Sequence, residues 1–117
     1  MRDMFAKGAS TRRPSWTERI EIAPATIPAP DGYPIPARIY RPLTADSPRG
    51  AMVHFHGGAF IGGDLDLSEG AVGRMADVAN ILIVDVDYRL APEHPFPTGF
   101  EDCYSALEWV ADQAADI

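Results

Sequence analysis

The sequence predicts an α/β domain in which an antiparallel hairpin precedes a parallel strand–helix–strand unit and a second helix. Two short apolar runs, at residues 51–56 and 81–86, have the length and composition of buried strands. An amphipathic helical pattern separates them, and a connection of that length joins parallel strands by a right-handed crossover. The turn signal Asp31-Gly32 lies between two earlier extended segments and predicts the hairpin.

The hairpin is predicted from Thr17 to Pro42, and its return strand from Pro34 to Tyr40. Proline has no N–H to donate to a neighbouring strand, so it is rare in central strands. We therefore expect both hairpin strands to lie at an edge of the sheet, because the segment contains many prolines: Pro24, Pro28, Pro30, Pro34 and Pro36.

The first helix is predicted over Leu67–Ala79, with Asp66 and Glu69 as a capping pair. Its apolar face is expected to contain four residues at helical spacing: Leu67, Ala71, Met75 and Val78. The strand at residues 81–86 shows no polar alternation, so we expect it to be buried on both faces. Asp85 lies inside this strand and is expected to have hydrogen-bonding partners.

The second helix follows a proline-stiffened loop, Asp87–Pro97, and is predicted to begin with a capping box of Thr98 and Glu101. One face is expected to be apolar: Phe100, Cys103, Tyr104, Leu107, Ala111 and Ala114. The opposite face is expected to be acidic: Glu101, Asp102, Glu108 and Asp112. In this arrangement Cys103 packs as a small apolar residue and is not a nucleophile.

Composition narrows the classes of partner. The 117 residues carry a net charge of −7, and the ten basic residues are scattered along the chain. This argues against nucleic acid and anionic membrane surfaces as partners. A single cysteine excludes an internal disulfide and indicates a reducing compartment. The sequence has no apolar signal core and no apolar run near the ~20 residues of a membrane span, so we expect a cytoplasmic protein.

The segment His56-Gly57-Gly58-Ala59-Phe60 follows the first apolar run directly. Adjacent glycines let bare backbone approach a ligand, because no Cβ holds the ligand away. At the carboxyl end of a strand in an open α/β sheet, such backbone N–H groups face the usual ligand crevice. Fixed N–H donors at that place are suited to stabilising a developing oxyanion in acyl transfer.

This segment and the loop Asp87–Pro97 (DYRLAPEHPFP) together resemble the hormone-sensitive-lipase-like esterases of the α/β-hydrolase fold. The resemblance covers roughly Thr17 to the end of the sequence. It implies the N-terminal portion of an α/β-hydrolase sheet in a serine carboxylesterase acting on small acyl esters, without cofactor or metal. It also implies a role for each residue of the segment: Gly58 and Ala59 as oxyanion-hole donors, Gly57 as the turn, Phe60 as substrate contact and His56 as the brace of the loop.

The sequence departs from the family pattern at three places. Ala59 stands where glycine is common, and an alanine there is expected to need a negative φ. Leu67-Ser68 stands where these enzymes often have a small hydroxyl residue followed by histidine. None of the serines stands in the G-x-S-x-G elbow that such an enzyme needs: Ser10, Ser15, Ser47, Ser68 and Ser105.

We therefore expect residues 17–117 to form an incomplete hydrolase domain that lacks the nucleophile, acid and base of the triad, and that is inactive alone. Residues 1–16 are expected to be a loose arm, or a partial lid in which Met4 and Phe5 line the acyl pocket. Two alternatives remain on the same fold: a non-catalytic ligand-binding protein, and an interaction module that pairs through an open sheet edge. A metal site at His54 and His56 is a weaker alternative, since no third ligand has a recognisable spacing.

Overall fold

The computed structural model describes residues 15–43 and 50–113. A short 3-10 helix, Ser15–Glu18, comes first. It is followed by strands β1 and β2, strand β3, helix α1, strand β4 and helix α2: Ile20–Pro28, Pro34–Pro42, Ala51–Phe55, Leu65–Ala79, Leu82–Val86 and Thr98–Gln113. The predicted arm at residues 1–16 lies almost entirely outside the described residues.

The strands form one mixed sheet in the order β1-β2-β4-β3. The hairpin strands β1 and β2 pair antiparallel, β2 pairs antiparallel with β4, and β3 pairs parallel with β4. The predicted fold class and the parallel pairing of the two apolar strands are therefore confirmed. The hairpin forms one side of the sheet, with β1 at the edge.

The prediction that both hairpin strands are edge strands is wrong for β2, which lies between β1 and β4. The prolines do not prevent this position, because β4 pairs only with residues 37–40 of β2. Pro34, Pro36 and Pro42 lie outside that stretch. At their positions no N–H has to be donated to β4.

The two helices cover opposite faces of the sheet. On one face, α1 and the 3-10 helix enclose one apolar cluster: Trp16, Ile20, Tyr40, Val72, Ala76 and Ile83. On the other face, α2 contributes Ala106 and Val110 to a second cluster with Ile27, Ile35 and Val84. Every residue of β4 is buried, as the absence of polar alternation predicted.

Helix α1 begins two residues earlier than predicted, at Leu65. Its N-cap is Asp64, whose carboxylate accepts a hydrogen bond from the Leu67 N–H at 2.9 Å, so the predicted cap Asp66 lies inside the first turn. The predicted apolar stripe is confirmed for Met75, which packs against the cluster beneath α1, and is wrong for Ala71, which is exposed, and for Val78, which is 77% exposed. The buried residues of the helix are others: Leu65, Val72, Gly73 and Ala76.

Helix α2 presents a different face from the one predicted. Phe100, Tyr104 and Leu107 are all more than half exposed, whereas Asp102, expected on the solvent side, is 1% exposed. The physical reason is that Arg89 supplies a buried partner for the Asp102 carboxylate. Thr98 is the first helical residue, and the first helical hydrogen bond runs from the Glu101 N–H to the Pro97 carbonyl.

Asp85 is fully buried in β4 and has the partners that the sequence led us to expect. One carboxylate oxygen lies 2.8 Å from His54 Nδ1, and the other accepts a hydrogen bond from the Ser68 hydroxyl. One nitrogen of His54 is therefore already engaged. Among the described residues, no group of three or more His, Cys, Asp or Glu side chains could hold a metal ion.

Strand β3 lies at the second edge of the sheet and carries none of the usual protections of an edge, such as lysine, proline or a bulge. We therefore expect the isolated 117-residue chain to be marginally stable and to aggregate or pair with another chain. Light scattering and hydrogen exchange on the purified chain will test this. A monodisperse monomer with strongly protected amides at residues 52–55 would contradict it.

Candidate active site

The loop after β3 is a compact turn built on glycines. The Gly58 carbonyl accepts hydrogen bonds from the N–H groups of Ile61 and Gly62, at 3.1 and 3.0 Å. Gly58 has a φ of +135°, and a Cβ at this position would lie 2.1 Å from the Gly62 oxygen. Gly63 has a φ of +91°, and a Cβ there would lie 2.4 Å from both the Gly57 oxygen and His56 Nδ1. These positions accept no side chain without movement of the backbone.

Ala59 has a φ of +56°, so the expectation of a negative φ is wrong. Phe60 has a φ of +64° and is likewise left-handed. Two consecutive left-handed residues turn the chain back so that Gly62 reaches the Gly58 carbonyl. Closure of the turn therefore outweighs the preference of these two non-glycine residues for a negative φ. Each left-handed residue costs about 1–2 kcal/mol.

The five residues named from the sequence lie together on the wall of one cavity of about 410 Å³. Aromatic side chains from three parts of the fold and one thiol form the rest of the wall: Phe55, Tyr88, Phe100 and Cys103. Within residues 15–43 and 50–113, the N–H groups of Gly58 and Ala59 donate no backbone hydrogen bond. That these two N–H groups bind an oxyanion stays a prediction.

Cys103 is an apolar part of this wall and not a thiolate. Burial is the main cause that raises the pKa of its thiol to about 11, and the nearby Asp102 carboxylate adds to the shift. A thiol with such a pKa is protonated at neutral pH and is a poor nucleophile. This agrees with the packing role predicted from its place on the helix.

His56 lies beneath the loop and is 5% exposed. Its ring stacks on Tyr88, with the ring centroids 4.5 Å apart, and its Nδ1 lies 3.0 Å from the Gly57 carbonyl oxygen, to which it donates. Its Nε2 is buried and has no hydrogen-bond partner among the described residues, since the nearest Asp87 oxygen is 3.7 Å away. The ring thus contacts the loop at Gly57; that it braces the loop and does not act as a base stays a prediction.

The pKa of His56 is raised. Burial lowers this pKa, but the Asp87 carboxylate and the hydrogen bond to the Gly57 carbonyl raise it, and together they outweigh the effect of burial. A raised folded-state pKa means that the stabilisation is complete below the unfolded-state pKa of about 6.5. The stabilisation is then lost as the pH rises through the folded-state value.

We therefore expect the free energy of unfolding to fall as the pH rises from below 6.5 to above the folded-state pKa of His56. An NMR titration of the His56 ring protons will give that pKa directly, and Asp87→Asn should lower it. A pKa at or below 6.5 in the parent chain would overturn this assignment.

The loop Asp87–Pro97 holds the glycine turn at two points. The Tyr88 hydroxyl donates to the His56 carbonyl oxygen at 2.7 Å, and the Ala91 N–H donates to the Phe60 carbonyl oxygen at 2.8 Å. The ring of Tyr88 also meets that of Phe60 edge-on, 5.6 Å between centroids. The two motifs that were recognised separately in the sequence therefore form one structural unit.

Arg89 anchors this unit to the rest of the fold. Its guanidinium binds both oxygens of Asp102 and also contacts Asp31 in the hairpin turn, while lying 4.1 Å above the Tyr33 ring. The hydrogen bond to Asp102, more than any other contact, raises the pKa of Arg89 above its ordinary value. The partners of Arg89 lie on distant segments of the chain, and the sequence pattern alone identifies none of the three: Asp102, Asp31 and Tyr33.

The mixed sheet, the helices on both of its faces and the glycine turn at the end of β3 define a partial α/β-hydrolase. A family model described as alpha/beta hydrolase fold matches residues 52–117. The chain belongs to this family, among the hormone-sensitive-lipase-like esterases.

Curated relatives and solved structures agree with that assignment. Esterase LipI of Mycobacterium tuberculosis is 42% identical over 102 residues, which are 84% of this chain and 31% of LipI. The solved structure of a Pyrobaculum calidifontis esterase is 45% identical with a TM-score of 0.73, covering 79% of this chain and 29% of that one. A solved arylesterase structure has a TM-score of 0.82 at 32% identity, over 97% of this chain and 36% of its own. The chain thus spans about a third of the length of these relatives.

No helix among the residues that the structure describes is long and apolar enough to cross a membrane.

Proposed function

We propose that this chain supplies the oxyanion-hole portion of a serine carboxylic-ester hydrolase. The observation that carries the proposal is that Gly58 and Ala59 line the cavity while their N–H groups donate no backbone hydrogen bond within residues 15–43 and 50–113. Gly57 forms the turn before them and His56 braces it. Two such donors lower the barrier to forming a tetrahedral intermediate by stabilising its negative oxygen.

The nucleophile, acid and base of the triad come from polypeptide outside these 117 residues. Among the described residues, the far edge of β3 has no partner strand and the side chains of Phe55, Phe100 and Tyr104 are exposed, so that polypeptide can pack there. A further parallel strand beside β3 would bring the turn at its carboxyl end to the cavity, because parallel strands end at the same edge of the sheet.

The substrate class in this proposal is a small apolar acyl ester. Among the residues that the structure describes, the cavity wall carries no Lys, Arg, Asp or Glu side chain, and its aromatic rings favour an apolar group, with Phe60 as a direct contact. In this proposal, residues 17–117 belong to the incomplete hydrolase domain. The single cysteine supports a reducing compartment, so a cytoplasmic location is part of the proposal.

A second function is a non-catalytic module that binds a ligand or a partner chain. The feature that favours it is the combination of a formed cavity with the absence of a G-x-S-x-G serine from the 117 residues. Such a protein would bind small esters in the cavity without hydrolysing them.

A chimera tests the proposal against this alternative. In the chimera, the 117 residues replace the part of LipI that they match, so that the rest of that esterase supplies whatever they lack. We expect the chimera to hydrolyse short-chain aryl esters and the 117-residue chain alone to show no turnover. A folded chimera that binds such esters without hydrolysing them would favour the non-catalytic function.

A further inference from the structure

We propose that Asp102 is a positioning residue for the glycine turn and that it acts through Arg89. The inference rests on the proposed function, because it concerns the residues assigned there to the oxyanion hole. Asp102 lies on α2, is 1% exposed and does not line the cavity. Its influence on the turn must therefore pass through the residues it contacts.

Asp102 fixes both the side chain and the backbone of Arg89. Its Oδ2 accepts hydrogen bonds from the Arg89 backbone N–H at 3.0 Å and from Nε at 2.9 Å, while Oδ1 accepts from Nη2 at 2.8 Å. Gly99, one turn earlier on α2, lies so close that a Cβ there would be 2.8 Å from the Arg89 carbonyl oxygen. The first turn of α2 thus sets the position of the main chain at Arg89.

The residues on either side of Arg89 touch the glycine turn. Tyr88 precedes it and binds the His56 carbonyl oxygen, and Ala91, two residues later, binds the Phe60 carbonyl oxygen. These two hydrogen bonds hold the beginning and the far side of the turn that contains Gly58 and Ala59. A displacement of Arg89 would therefore move both supports of the turn together.

Asp31 offers a matched comparison, because it contacts the same guanidinium without touching the backbone of Arg89. Its side chain is 58% exposed and binds only the terminal nitrogens, at 2.9 and 3.2 Å. Loss of this exposed partner is expected to leave the main chain of Arg89 in place, since Asp102 still holds it.

Hydrogen exchange with mass spectrometry on dilute 117-residue chain tests the proposal. In Asp102→Asn, peptides covering residues 56–63 and 87–92 should exchange about tenfold faster, because charge-assisted hydrogen bonds are lost beneath them. Exchange in β1 and in α1 should accelerate clearly less than exchange in these two loop peptides. In Asp31→Asn, both loop peptides should exchange at about the parent rate.

The outcomes separate positioning from general stabilisation. Acceleration spread evenly over β1, α1 and the loops in Asp102→Asn would overturn the proposal, as would an equal effect of Asp31→Asn. If Asp102→Asn does not fold, Tyr88→Phe provides the test. It removes only the hydrogen bond to the His56 carbonyl, so it should accelerate hydrogen exchange in residues 56–63 and nowhere else. No acceleration there would refute the path through Tyr88. Hydrogen exchange does not depend on hydrolysis. A chimera without esterase activity would therefore count against the proposed function and not against the positioning role of Asp102.

Discussion

Replacing Gly58 with alanine in the chimera with LipI is expected to lower kcat by about 10²–10³-fold, the cost of losing one oxyanion-hole donor. At a φ of +135° a Cβ would lie 2.1 Å from the Gly62 oxygen, so the turn has to open. Opening moves the N–H groups of Gly58 and Ala59 away from the position of the developing oxyanion. Initial rates with a short-chain aryl ester measure the effect, and Gly58→Pro, which also removes the N–H, should be at least as severe.

Gly70→Ala is the matched control for this substitution. Gly70 lies exposed in α1 and a Cβ there would meet nothing within 4 Å, so kcat should stay close to that of the parent chimera. Alanine in the interior of a helix should also stabilise the protein, by roughly 0.5–1 kcal/mol. If Gly58→Ala and Gly70→Ala have equal kcat, the oxyanion-hole assignment is wrong.

Arg89→Met in the same chimera is expected to lower the free energy of unfolding strongly. Removing the guanidinium leaves Asp102, which is 1% exposed, with its charge uncompensated inside the protein. Breaking a buried ion pair in this way costs about 3–5 kcal/mol, a substantial part of the total stability of most domains. The shift of the urea unfolding midpoint, at unchanged slope, gives the loss.

Arg19→Met provides the comparison for an exposed pair of the same geometry. Arg19 also binds an aspartate with two nitrogens, at 2.8 and 2.7 Å from the two oxygens of Asp77. Its side chain is 45% exposed, so solvent screens this pair and its removal should shift the urea midpoint far less than Arg89→Met does. Equal losses of stability in the two variants would show that burial does not increase the contribution of the Arg89–Asp102 pair.

The parallel part of the sheet could be predicted because its signal, a short run of apolar residues for each strand, is local in the sequence. The residues that form β3 and β4 are short apolar runs whose lengths already exclude helices, and their parallel pairing follows from the helix between them. The interior position of β2 could not be predicted from its prolines alone. Whether a proline breaks a sheet depends on where the neighbouring strand begins and ends, and that is a property of the assembled sheet.

The geometry of the site was harder to predict, because it depends on contacts between distant segments. The left-handed conformation of Ala59 follows from closure of the turn between Gly58 and Gly62, not from the propensity of alanine. The burial of Asp102 follows from Arg89, and periodicity along one helix cannot report a partner on another segment. Both errors have the same cause, since tertiary contacts overrode a local preference.

The strand order also bears on how the chain folds while it is being translated. β4 leaves the ribosome after the other three strands, yet its place is between β2 and β3. Until residues 82–86 have emerged, the edges of β2 and β3 that will pair with β4 have no partner strand, and no strand pairing links the hairpin to β3. We expect a nascent chain of this length to bind chaperones that recognise extended apolar segments. Insertion of the single strand β4 then completes both pairings at once and ends that exposure.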